Sequence, residues 1–149
     1  YAANREIICE SDVTELKVKL EKQYCRINVM VVGLDCRVRI RGDVMGVDMN
    51  DLTPLPGLFC VEQSPIIDIH SKSQHFVFDV PRQIDDSLML EMVVESSGLS
   101  PVYTYDLGKR LMENGVDWNK PSLDDVYVNI EYMDNKFVFE IQNWDKIEL

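Results

Sequence analysis

The chain is predicted to fold as an all-β, antiparallel β-sandwich of about seven to nine strands with one short helix. Three observations predict it. Apolar residues recur at every second position in run after run, which puts one row of side chains on one face of a strand. Turn-forming residues separate these runs about every 8–12 residues. No strand–helix–strand alternation occurs, so a doubly wound parallel sheet is disfavoured.

Residues 1–12 carry little pattern, although 5–10 would serve as a short strand. Leu16, Val18 and Leu20 alternate with Lys17 and Lys19, which predicts a half-buried strand. Residues 24–34 place Ile27, Val29 and Val31 on one face. Gly33-Leu34-Asp35 supplies a turn, and 36–41 (C-R-V-R-I-R) alternates strictly. The expectation is therefore an antiparallel pair of 26–33 with 36–41. Residues 42–57 hold three Gly, two Pro and three Asp and are expected to be a loop. Candidate strands follow at 58–63 and 65–70, split at Ser64-Pro65, and at 75–80, ended by Pro81. Residues 87–95 are apolar at Leu88, Leu90 and Met92. Leu, Met and Glu also favour helix, but the flanking Asp85-Asp86 and Ser96-Ser97-Gly98 favour a strand between turns.

One helix is expected over Asp106–Asn114. Asp106 suits the N-cap, Leu107, Arg110 and Leu111 share a face, and Gly115 stops the helix. At about two turns it must lean on a sheet to persist. A turn segment around Pro121 leads to the closing hairpin. Val126, Val128, Ile130 and Tyr132 alternate, Met133-Asp134-Asn135 turns the chain, and Phe137, Phe139 and Ile141 alternate again before Trp144.

The 149 residues are expected to make one domain, or at most two very small ones, and at this size a core can form without metal or disulfide staples. Fifteen Lys and Arg against twenty-six Asp and Glu give a net charge of −11. Such a surface repels phosphate backbones and anionic lipid heads, so nucleic-acid and membrane-surface partners are disfavoured. No apolar run reaches the roughly 20 residues of a membrane helix, and residues 1–8 lack the apolar stretch of a signal peptide. Cys9, Cys25, Cys36 and Cys60 show no C-x-x-C spacing and no neighbouring His. They read as buried thiols, with three disulfide connectivities open as the alternative.

No motif carries chemistry. Asp48, Asn50 and Asp51 offer oxygens, but Leu52 and Thr53 break the calcium-loop pattern. His70 and His75 flank a polar turn and would make at most a weak metal pair. No G-x-S-x-G, dinucleotide fingerprint or phosphate loop occurs. No catalytic residue, metal ligand or cofactor is therefore expected. An enzyme or inhibitor using dispersed carboxylates stays open, because such partners meet only in the fold. Trp118, with Tyr103 and Tyr105, is a candidate stacking surface for a glycan or peptide, against the plainer reading of Trp118 as a core plug with its N–H paired. Phe137, Phe139, Ile141 and Trp144 mark the closing strand as a candidate assembly edge.

Three stretches carry a family resemblance: E-L-K-V-K-L-E-K-Q-Y-C-R-I-N-V-M-V-V-G-L at 15–34, R-V-R-I-R-G-D-V-M-G-V-D at 37–48, and 103–132 with the hairpin ending N-W-D. Across about two-thirds of the chain, this layout resembles a domain of the fimbrillin superfamily. It looks most like the FimB and minor-fimbrium anchor-type subunits of Gram-negative anaerobes. The resemblance implies a transthyretin-like β-sandwich, either whole or one domain of a longer surface protein. It implies export to the periplasm, outer membrane or cell surface, without membrane insertion by this chain. The implied role is a non-catalytic fimbrial or cell-adhesion subunit, whose partners are other surface subunits joined by β-strand addition.

Overall fold

The computed structural model describes residues 17–95 and 100–143. The expected strand at 5–10, together with Cys9, Leu16 and Trp144, lies outside them. Nine strands and one helix follow in order: β1 Tyr24–Val32, β2 Cys36–Val47, β3 Pro54–Gln63, β4 Ile66–Asp68, β5 Ser73–Pro81, β6 Met89–Val94, β7 Val102–Tyr105, α1 Leu107–Glu113, β8 Val126–Met133 and β9 Lys136–Asn143. They form two sheets, β4-β5-β1-β8-β9 and β3-β2-β6-β7. The predicted all-β sandwich is the observed architecture. One neighbour pair, β1 with β8, is parallel, and every other pairing is antiparallel.

The alternating rows meet between the sheets. Ile27, Val29 and Val31 of β1, Phe76, Phe78 and Val80 of β5, and Val126, Val128 and Ile130 of β8 are buried from one side. Val38 and Ile40 of β2 and Leu90 and Met92 of β6 are buried from the other. Each such side chain removed from water contributes roughly 1.5–3 kcal/mol, so these rows fix which face of each strand turns inward. The outer face of β2 is a charge ladder. Arg37 pairs with Glu62 at 3.2 Å and with Glu95 at 3.2 Å, Arg41 pairs with Glu91 at 2.8 Å, and Arg39 pairs with the same Glu91.

Four expectations need correction. First, β1 and β2 are not a hairpin: β1 pairs with β5 and β8, and β2 with β3 and β6. Residues 33–35 arch from one sheet to the other. Both runs bury one face each, and an arch sets those faces against each other, whereas a hairpin would put both in one sheet and leave their shared face for other strands to cover. Gly33 makes the arch possible: its φ is +84°, and a Cβ there would lie 2.8 Å from the Tyr132 carbonyl oxygen.

Second, residues 17–20 are irregular and exposed instead of a half-buried strand, with Val18 at 42% and Leu20 at 58%. Third, most of 42–57 is strand. β2 continues to Val47 and β3 begins at Pro54, with register shifts between Gly42 and Val44 and between Val44 and Gly46. Bulges absorb residues that would otherwise break a ladder. Fourth, Asp106 makes no side-chain cap bond to α1; instead the Gly108 N–H donates to the Leu88 carbonyl at 2.7 Å. The helix start is satisfied by the chain entering β6, and Leu107 and Leu111 are fully buried beneath it.

The closing hairpin forms as expected, and Asp134 and Asn135 both take positive φ, +51° and +59°, as a two-residue turn of that hand requires. Strand β7 was not anticipated. No helix among the described residues is long and apolar enough to cross a membrane.

Candidate functional site

The richest concentration of predicted site residues lies where the two sheets end side by side, at β7 and β9. β7 pairs with β6 and β9 with β8, each on one side only among the described residues. Side chains that alternate inward on β9 meet those of β7 across the gap. Tyr105 and Phe139 stack with ring centroids 3.7 Å apart and planes within 5°, and Tyr103 and Phe137 meet tilted at 4.7 Å. Tyr132 reaches Phe137 from β8 at 4.9 Å. Because β7 is only four residues long, it covers the inner face of β9 incompletely. Phe137, Phe139 and Ile141 remain half-buried.

Beyond the end of β7 this face opens into a cleft of about 440 Å³, lined by Tyr105, Phe139 and Ile141 on one side and by Arg110 and Asn114 of α1 on the other. Burial pushes the Tyr105 phenol above its usual range, against the pull of the Arg110 charge. The cleft combines an apolar row at period two with a strand edge. It can take an extended chain or a ring.

Trp118 is elsewhere. It is 3% exposed and part of the core. The three proposed stacking residues are thus not one surface: Tyr103 and Tyr105 join Phe137 and Phe139, while Trp118 plugs the sandwich beneath the 117–121 turn. Its Nε1 has no hydrogen-bond partner among the described residues, so the expected pairing of its N–H is not seen. Its carbonyl accepts from the Arg82 guanidinium, which also donates to the Pro121 carbonyl at 3.2 Å and to Gln23 Oε1 at 2.9 Å. Arg82 is the residue sequence reasoning missed. A single Arg after Pro81 leaves no periodic signal.

The other candidates resolve locally. Asp48 accepts the Asn50 N–H at 2.7 Å and Asp51 accepts the Thr53 N–H at 3.0 Å, so these carboxylates shape their own turn. His75 bonds Ser73 at 2.9 Å. Among the described residues no three His, Cys, Asp or Glu gather as metal ligands. Cys25, Cys36 and Cys60 are free thiols, the first two buried and Cys60 exposed, which corrects the reading of all cysteines as buried.

No protein-family model matches the chain, and no curated protein matches it by sequence. Solved structures do match. The fimbrial anchor protein Mfa2 from Porphyromonas gingivalis superposes with a TM-score of 0.60 at 11% identity, over 83% of this chain and 48% of that one. A candidate cell adhesion protein from Bacteroides fragilis matches at 12% identity with a TM-score of 0.48, over 85% of this chain and 47% of that one. One from Bacteroides uniformis matches at 10% identity with a TM-score of 0.45, over 82% and 51%. The chain therefore spans about half the length of the solved proteins it matches. At 11% identity the likeness to the fimbrial anchor protein is one of fold alone: the two share a β-sandwich.

Proposed function

We propose that the protein is a non-catalytic structural or adhesion subunit of a bacterial cell-surface assembly, and that β9 is the edge through which it joins a neighbour. The observation that carries this reading is the contrast among the four edge strands. β4 has three residues and β7 has four. β3 is long but irregular, with Pro54, Pro56 and two register shifts. Short, bulged and proline-bearing edges resist pairing with another chain. β9 is eight residues long, free of proline, and in unbroken register with β8 from Met133↔Lys136 to Val126↔Asn143. It is the one long regular edge among the described strands, and its inner row of Phe137, Phe139 and Ile141 is only partly covered. A strand added there gains main-chain hydrogen bonds and covers that row. The fold shared with a fimbrial anchor supports the same reading.

The test is fractionation of the producing bacterium together with labelling of intact cells by a reagent that cannot cross membranes. Recovery of labelled protein with the outer surface is expected. Recovery from the cytosol alone overturns the proposal. A cysteine placed at Val138, half exposed on β9, is then expected to cross-link to a partner chain on intact cells.

A further inference from the structure

At the end of the sandwich lies a second cavity, about 500 Å³, where residues 21–23, the start of β3, the segment after β5 and the 117–121 turn converge. Its lining includes Arg82, Gln83, Trp118, Lys120, Glu21 and Ile84. Four chain segments far apart in sequence build it, and polar side chains (Arg82, Gln83, Lys120, Glu21) share its wall with apolar ones (Leu52, Ile84, Trp118).

Arg82 is the anomaly. It is 9% exposed, yet among the described residues no carboxylate lies within ion-pair distance of it. Three of its five N–H groups are used, on Gln23, the Trp118 carbonyl and the Pro121 carbonyl. That clamp holds the 117–121 turn onto the ends of β1 and β5. It accounts for three donors and leaves the charge without a directly paired carboxylate among the described residues, although buried charges are ordinarily paired. Lys120 is bound to Asp124 at 2.6 Å, so its charge is largely spent. Glu21 acts on Arg82 only at longer range, as does Asp117, and burial lowers the guanidinium's pKa despite both. Trp118 adds an indole N–H that has no partner among the described residues. Gln83 turns its Oε1 toward Gly42 and so does not compete for the charge.

We propose that this cavity binds a carboxylate, with the Arg82 guanidinium as its counter-charge. A monoanion fits better than a doubly charged phosphate, because a single guanidinium lacks a direct carboxylate partner among the described residues and Glu21 shares the lining. A planar carboxylate also matches the two remaining N–H groups of the fork. Two sources offer this chemistry: an acidic sugar and the free C-terminus of a peptide.

The experiment titrates the protein with glucuronate, glucose, N-acetylglycine and N-acetylglycinamide, following the Trp118 indole N–H resonance, which a Trp144→Phe variant identifies. Either acid is expected to shift that resonance saturably, with its neutral counterpart about tenfold weaker or more. Whichever acid binds more tightly names the source. Arg82→Gln should abolish binding but also loosens the turn. Ile84→Glu therefore supplies the independent variant: Ile84 is 62% exposed in the cavity lining, outside the clamp, and a negative charge there should weaken both acids. The proposal is overturned if neither acid saturates by about 10 mM, if the neutral compounds bind equally well, or if Ile84→Glu leaves the affinities unchanged.

Discussion

Gly108 shows how one residue is dictated by what surrounds it. It lies in the first turn of α1, where alanine is the better helix former by about 1 kcal/mol. A Cβ there, however, would lie 2.4 Å from the Asp86 carbonyl oxygen and 2.9 Å from the Leu88 nitrogen. Both are backbone atoms, which cannot swing aside, and Gly108 donates to Leu88 in the same contact. Overpacking of this kind costs roughly 1–3 kcal/mol, so the clash outweighs the propensity. Gly108→Ala is expected to lower the urea midpoint; an unchanged or raised midpoint would show that the helix start can shift.

The cysteines give a second residue-scale expectation. Burial pushes the Cys25 thiol up from 9.0 to about 12 and the Cys36 thiol up to about 11. Below pH 9 folded and unfolded chains both keep these protons, and stability does not depend on them. Above it the unfolded chain loses them first, so stability falls as pH rises toward 12. Denaturation at about pH 8 and about pH 10 should show this loss, and Cys25→Ala should remove part of it. Native protein treated with a thiol reagent should react at Cys60 before Cys25 or Cys36. The buried pair was legible in the sequence from period-two alternation. Cys60 was not, because β3 alternates on an edge and turns that position outward.

At the scale of elements, legibility follows how local the determinant is. The closing hairpin could be read directly because pattern and turn lie within eighteen residues, Val126 to Asn143. The second half of β2 and the first four residues of β3 were hidden by Gly42, Gly46, Pro54, Pro56 and Gly57, residues that signal loops except where bulges accommodate them. β7 is four residues long and had too few positions to show a period. The cleft beside α1 was foreshadowed only in part: Tyr105, Phe139 and Ile141 were singled out, and Arg110 and Asn114 were not. The hairpin turn is the place where an element can be improved. Asp134 and Asn135 occupy a mirror-image turn whose second position favours glycine. Asn135→Gly relieves a left-handed residue but loses the 3.3 Å bond from the Tyr132 hydroxyl, which is exposed and weak. Relief should win by about 0.5 kcal/mol, read as a small rise in melting temperature. A fall would mean that the Tyr132 contact governs the turn.

The whole molecule depends on relations that no stretch of sequence contains. The parallel pairing of β1 with β8 joins segments about a hundred residues apart, and the arch at 33–35 assigns two similar runs to opposite sheets. Arg82 acquires its environment only when residues 21–23 and 117–121 meet, which is why the buried charge was invisible beforehand. The two sheets are also tied at their margin. There the Tyr105–Phe139 stack links an edge of one sheet to an edge of the other, and such pairs contribute about 0.5–1.5 kcal/mol beyond burial. Tyr105→Ala, Phe139→Ala and the double variant form a cycle that isolates this link. A coupling within that range is expected from denaturation midpoints and slopes. Strict additivity would mean that β9 hangs on β8 alone, in which case an added strand at β9 would meet no resistance from the opposite sheet. Measured coupling instead sets the energy that the proposed partner strand would meet: it would pair with the β9 edge left open among the described strands while leaving the aromatic stack on its inner face intact.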